Sequence, residues 1–182
     1  MNASIAWLPY CGAAPAPAEL LGRWNFDPLR LVALAAAGLA YHRLGRTLPS
    51  SRRRLFWAAL ALAALLFVSP FCALSSALFG ARVVHHVLLA TAVAPLLVLG
   101  LPRDASPSGG LLLCTGVQAV IFWFWHAPPV YGWALSSDAG YWLMQITLLA
   151  TAAGFWAAIR RAEAPIAVVA LFALLTVVGF AM

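Results

Sequence analysis

Residues 82–101 read RVVHHVLLATAVAPLLVLGL, and this stretch decides the fold. Once Arg82 and the His85–His86 pair are passed, positions 87–101 carry no ionisable group. Such a run approaches the roughly 20 apolar residues that a helix needs to cross the hydrocarbon core of a bilayer. It is continuous and rich in Ala, Leu and Val, without the alternation of a barrel strand. Working outward, comparable runs occur at 28–42, 55–71, 109–126, 140–159 and 165–182. The first, LRLVALAAAGLAYH, is short at its apolar core and borrows length from Trp24 and Phe26, while the second, LFWAALALAALLFVSPF, carries Pro70 near its end. The expected fold is all-α: a polytopic transmembrane bundle of about six spans over residues 24–182, preceded by an arm at 1–23.

Composition excludes most other classes. Of the 182 residues, 64% are hydrophobic and 9% charged, against about 25% charged in ordinary globular chains. Neither a soluble domain nor a disordered chain fits these proportions. The net charge of +6 comes with 11 basic residues that are all arginine. They lie between apolar runs and form no stripe for phosphate, so nucleic acid is not an expected partner. Cys11, Cys72 and Cys114 are odd in number and far apart, so a disulfide scaffold is not expected. The opening segment, MNASIAWLPYCGAAPAPAELLGRW, lacks a basic leader region and contains several prolines. It reads as an extracytoplasmic arm lying at the interface through Trp7 and Trp24, not as a signal peptide.

The arginines orient the bundle. Arg43, Arg46, Arg52, Arg53 and Arg54 follow the first span, Arg103 the third, and Arg160 with Arg161 the fifth. These connections alternate and share one side, whereas only Arg23, Arg30 and Arg82 fall towards the other. By the positive-inside rule the first group is cytoplasmic and both termini are extracytoplasmic.

With that orientation the polar residues gather at the outer level. Asp27 precedes the first span, Cys72 follows the second, Arg82, His85 and His86 open the third, His126 closes the fourth, and Met144 lies one turn into the fifth. Ionisable groups are costly in a membrane and commonly face a bundle interior or cavity. Arg82 and His86 are four apart and share a helix face, while His85 is rotated by about 100° from His86. Imidazole, thiolate and thioether together suit copper, and Cys with Met favours the cuprous ion. His86, His126, His85, Cys72 and Met144 are therefore the candidate metal ligands. Arg82 at a helix start calls for an anion, and Asp27 is its expected ion-pair partner.

Each residue also has a plainer reading. Histidines near helix ends cap carbonyls or sit among headgroups, Cys72 is a small apolar filler, and Asp27 before Pro28 is a good helix cap. The aromatic residues of FWFWHAPPVYGW at 122–133 suit an interfacial belt. The arginine loop at 43–54 meets anionic lipid in the bilayer. No GxSxG, P-loop or HExxH pattern occurs, so no enzymatic activity is expected. A bis-histidine haem through His86 and His126 stays open on spacing alone.

WNFDPL at 24–29, the span ending in Tyr41, the basic loop, LFWAALALAALLFVSPF, FGARVVHHVLLATAVAPLLVLGLP at 79–102 and FWHAPPVYGWAL at 124–135 together resemble the all-membrane CtaG family of cytochrome c oxidase assembly factors. The resemblance covers residues from about Trp24 to Trp156. It implies a multi-pass protein of the bacterial inner membrane that helps to build haem-copper oxidase, with copper as its cargo and oxidase subunits as partners. Members of the family show two histidines four apart at the start of the third helix; here the second is His86 and the first position is Arg82. A further histidine early in the next helix is replaced by Tyr141, Trp142 and Met144. The family's longer C-terminal part with a seventh span also has no counterpart in this sequence. The leading expectation is an oxidase assembly factor. Its rivals are a copper permease using the same residues and a haem-bearing electron-transfer subunit.

Overall fold

The computed structural model describes residues 9–102 and 110–162. Trp7, Arg103 and the expected sixth span at 165–182 lie outside them. All regular elements among the described residues are helical.

Helix α1 runs Pro28–Leu44. Its start is set locally: Asp27 accepts a hydrogen bond from the backbone N–H of Arg30 at 3.0 Å, and Pro28 occupies the first helical position, where its missing N–H is not needed. Helix α2 spans Ser50–Val68 and α3 Phe71–Ala77, with a bend of 54° between them. Pro70 explains the break, since it offers no N–H and its ring collides with the carbonyl four residues back. The run at 55–71, expected as one span, is thus divided at Ser69–Pro70.

Helix α4, Phe79–Leu88, continues through one wide π-helical turn at Leu89–Val93 into α5, Ala94–Gly100. Pro95 again supplies a cause, because the wider turn makes room for its ring. The carbonyl of Ala90, within that turn, accepts the indole N–H of Trp156 at 2.8 Å. Helix α6, Leu111–His126, and α7, Pro128–Leu135, meet at 74° where Pro128 and Pro129 follow His126. Helix α8, Asp138–Ala162, is the longest at 25 residues.

Among the described residues two continuous helices, Phe79–Gly100 and Asp138–Arg161, are long and apolar enough to cross a membrane, and up to four if each bent pair is one span. At 17 residues, α1 falls just short of spanning length. Large apolar residues on the outside, among them Leu29, Val32, Leu112 and Val120, suit a surface facing acyl chains.

Helix α8 packs against α5, α6 and α7, α2 against α5 and α3, and α3 against α4. Their shared core contains Leu66, Leu89, Val93, Phe122, Met144 and Leu148. Gly100 lets α5 touch α2: a Cβ there would lie 2.9 Å from the backbone nitrogen of Phe56. At the same level Tyr41 donates to the Gly100 carbonyl at 2.8 Å, its ring stacked on Phe56. Arg160 reaches the carbonyls of Val98 and Leu101 at 2.5 and 3.2 Å, where the end of α5 leaves acceptors unpaired.

One covalent feature corrects the sequence reading. Cys11 and Cys72, 61 residues apart, form a disulfide that ties the arm to the start of α3. Cys114 is the free cysteine among the described residues. The odd cysteine count concealed a pair, and the tertiary fold brings the two together.

Candidate functional site

His86 lies on α4 just before the π-helical turn, and His126 is the last residue of α6 before the α6–α7 bend. Nδ1 of His86 is 3.2 Å from Nε2 of His126, their rings nearly perpendicular at 89°. On its other edge, His126 holds Nδ1 at 2.6 Å from the Phe122 carbonyl. A carbonyl only accepts, so Nδ1 of His126 carries the proton and Nε2 turns its lone pair towards His86. His86 then donates from Nδ1 and accepts at Nε2, where the Gln145 amide nitrogen stands at 3.3 Å.

The resulting chain runs from Gln145 to His86 to His126 to Phe122, with every proton assigned. It can also be inverted at His86. If Gln145 turns its amide away from His85, Oε1 can accept from Nε2 of His86. Nδ1 of His86 and Nε2 of His126 then present two lone pairs to one point. An outer hydrogen bond that fixes the tautomer is the usual support of a metal-bound imidazole, and here each histidine has one within reach.

The other candidate ligands sit elsewhere. His85 is 1% exposed, its ring edge-on to Phe67 and stacked over Phe71, with the Gln145 side chain beside it but no well-formed hydrogen bond. It neighbours His86, with ring centroids 5.6 Å apart, but turns towards the aromatic residues. Cys72 is committed to Cys11, which removes it as a thiolate ligand. Met144 is buried in the core beside Leu89 and Phe122, and it is the next residue, Gln145, that reaches His86. Among the described residues no three of His, Cys, Asp and Glu gather in metal-binding geometry, so the centre is a pair of imidazoles.

The expected ion pair between Arg82 and Asp27 does not form. Arg82 donates to the carbonyls of Ser75 and Ser76 at 3.2 and 3.3 Å, and its guanidinium lies 3.8 Å from the ring centroid of Tyr131. Those carbonyls end α3, where the helix dipole is negative and attracts a cation. Asp27 is occupied at the start of α1, and the Arg30 N–H holds its carboxyl below the usual carboxylate range. Arg82 therefore joins α4 to α3 and to the α7 segment bearing Tyr131.

Gln145 escaped the sequence reading. Its signal was a lone amide inside an apolar span, three residues beyond Trp142; such groups commonly bond between membrane helices. Gln118 and Thr151 make a comparable link at 2.5 Å between α6 and α8.

The fold and this centre define a helical protein with two to four candidate membrane spans and an imidazole pair, His86 buried and His126 half-buried, between two of its helices. A family model described as cytochrome c oxidase caa3 assembly factor (Caa3_CtaG) matches residues 32–113 and 111–182. The chain belongs to that family of assembly factors. No curated protein and no solved structure matches it.

Proposed function

We propose that this protein serves the maturation of cytochrome c oxidase by holding a cuprous ion as cargo between His86 and His126 at the outer side of a bacterial inner membrane. The observation that carries the reading is the 3.2 Å approach of Nδ1 of His86 to Nε2 of His126. Imidazole is a copper ligand, and the cuprous ion accepts as few as two. Structural zinc takes four protein ligands and catalytic zinc three, so a two-histidine centre suits it poorly. The arrangement favours transient holding, which delivery requires.

Three features support this placement. The arginine bias favours both termini outside. A disulfide belongs to an oxidising compartment, in keeping with Cys11 and Cys72 on the outer side. His126 at the end of α6 and His86 near the start of the α4–α5 helix fit that same side on the arginine-based orientation. Oxidase subunits are the proposed partners.

Protein purified in detergent and loaded with cuprous ion should retain about one equivalent, and His86→Ala or His126→Ala should lose it. Equal retention by the double variant would exclude the pair. A deletion strain assayed for assembled oxidase tests the cellular role separately.

A further inference from the structure

Arg30, in the first turn of α1, is 1% exposed. Its guanidinium is always protonated and offers five N–H donors. Nη1 is used, donating to the Phe67 carbonyl and, at 3.6 Å, to the sulfur of Cys72. Nε and Nη2 have no acceptor. Asp27 acts on this charge without forming a salt bridge, its carboxylate accepting from the Arg30 backbone N–H. Aromatic faces surround it: Tyr10 at 4.8 Å, with Phe67 and Trp142 each at 5.9 Å.

Two of those rings carry polar edges in the same condition. The Tyr10 hydroxyl and the Trp142 indole N–H are buried, near each other but with neither in a well-formed hydrogen bond. Both rings lie against Arg30 and against each other, with centroids 5.5 Å apart. Three buried N–H donors, Nε and Nη2 of Arg30 and the indole N–H of Trp142, thus converge with the Tyr10 oxygen as the one acceptor beside them. Native structures pair such groups almost always, and an unpaired buried cation is the costliest exception.

Arg30 and Trp142 also line an apolar cavity of about 250 Å³ between α1, α2, α5 and α8. The room comes from alanines facing one another, Ala33 and Ala37 on α1 with Ala59 and Ala63 on α2. A ligand filling the cavity and satisfying its rim must be apolar along its length and bear an oxyanion at one end. A carboxylate suits the rim best, being planar and matching the Nε–Nη2 edge of a guanidinium with two parallel hydrogen bonds. A cavity of this size takes a single slender chain.

We propose that the cavity binds a long-chain carboxylate, its head held by Arg30, Trp142 and Tyr10 and its tail lying between α1 and α2. The site is separate from the imidazole pair, and its test does not depend on copper. Delipidated protein in neutral detergent is offered oleate, methyl oleate, acetate or phosphatidylglycerol, and bound adducts are counted by native mass spectrometry. Wild type should retain one oleate and neither the ester nor acetate. Arg30→Gln should abolish retention. Should that variant fail to fold, Trp142→Phe and Tyr10→Phe carry the test, each keeping its ring and losing one donor. Trp142→Phe should weaken oleate by about tenfold or more, the loss of one hydrogen bond to a charged group. Equal retention of methyl oleate would reduce the cavity to an apolar void and overturn the proposal. So would unchanged oleate binding in Trp142→Phe and Tyr10→Phe. Retention of phosphatidylglycerol with none of oleate would also overturn it, giving the site to a phospholipid.

Discussion

Nε2 of His126 meets Nδ1 of His86 at 3.2 Å across 40 residues of chain, and the amide of Gln145 closes the far side of the same imidazole at 3.3 Å. One ring is thus held between two helices. The amide biases which nitrogen of His86 carries the proton, and so, on the copper proposal, whether Nδ1 has a lone pair to offer.

Gln145→Leu should therefore weaken cuprous retention without abolishing it, by roughly 10–100-fold as for other outer partners of metal ligands. Gln145→Glu, which keeps an acceptor, should restore most of the loss. Titration with a competing cuprous chelator measures both. Wild-type affinity in Gln145→Leu would remove this residue from the centre.

Arg82 and Tyr131 form a second contact that can be weighed. A double-mutant cycle on Arg82→Gln and Tyr131→Leu should give a coupling of about 1 kcal/mol in thermal unfolding, the scale of a partly desolvated cation–π pair. The same cycle on Arg82→Gln and Asp27→Ala should be additive, because each residue serves its own helix end.

Asp27→Ala should cost about 1 kcal/mol through the lost cap, while Asp27→Asn should cost little, since Asn caps as well. The sign with pH follows from the lowered carboxyl. Its contribution is present above the unfolded carboxylate range and is lost as pH falls through the depressed folded value. A pH series of unfolding midpoints should show a loss at the acid end in wild type that Asp27→Asn lacks.

Cys11→Ser, Cys72→Ser and the double variant should be destabilised alike, by roughly 2–4 kcal/mol. Peptide mapping without reductant should recover the 11–72 pair. Free thiols at both positions in the native protein would contradict the bond.

Gly100→Val should destabilise by about 1–3 kcal/mol or more, because Gly100 is buried and the backbone of Phe56 occupies the place of the added atoms. Thermal unfolding in detergent checks this, and Gly116→Val, where no atom lies within 4 Å, is the control.

Topology is open to direct measurement. A periplasmic reporter enzyme fused after Met182 should be active, and one fused after Ser50 inactive. The reverse result would move the imidazole pair to the cytoplasmic side.

Helix positions were legible because apolar runs and local caps are properties of neighbouring residues: Asp27–Pro28 marks α1, and His126 before two prolines marks the end of α6. The level shared by His86 and His126 followed from counting along those runs. Partners across the bundle did not. Nothing in the spacing of Cys11 and Cys72 announces their bond. The expected pairing of Arg82 with Asp27 rested on opposite charge at a common depth, whereas the nearer carbonyls at the end of α3 captured the guanidinium. Arg30 was counted only as one arginine on the outer side, since a sequence shows a charge but not its burial.

Cys11 and Cys72 bracket α1 and α2 completely. On the proposed topology, once residue 72 reaches the oxidising side, the chain can be closed into a ring while α4 to α8 are still unmade. The later helices, including both that carry the imidazole pair, would then assemble against a hairpin whose ends are already joined. Synthesis from the N-terminus makes the order of events a physical property of the sequence, and a cut anywhere between these cysteines would leave the two pieces as one molecule.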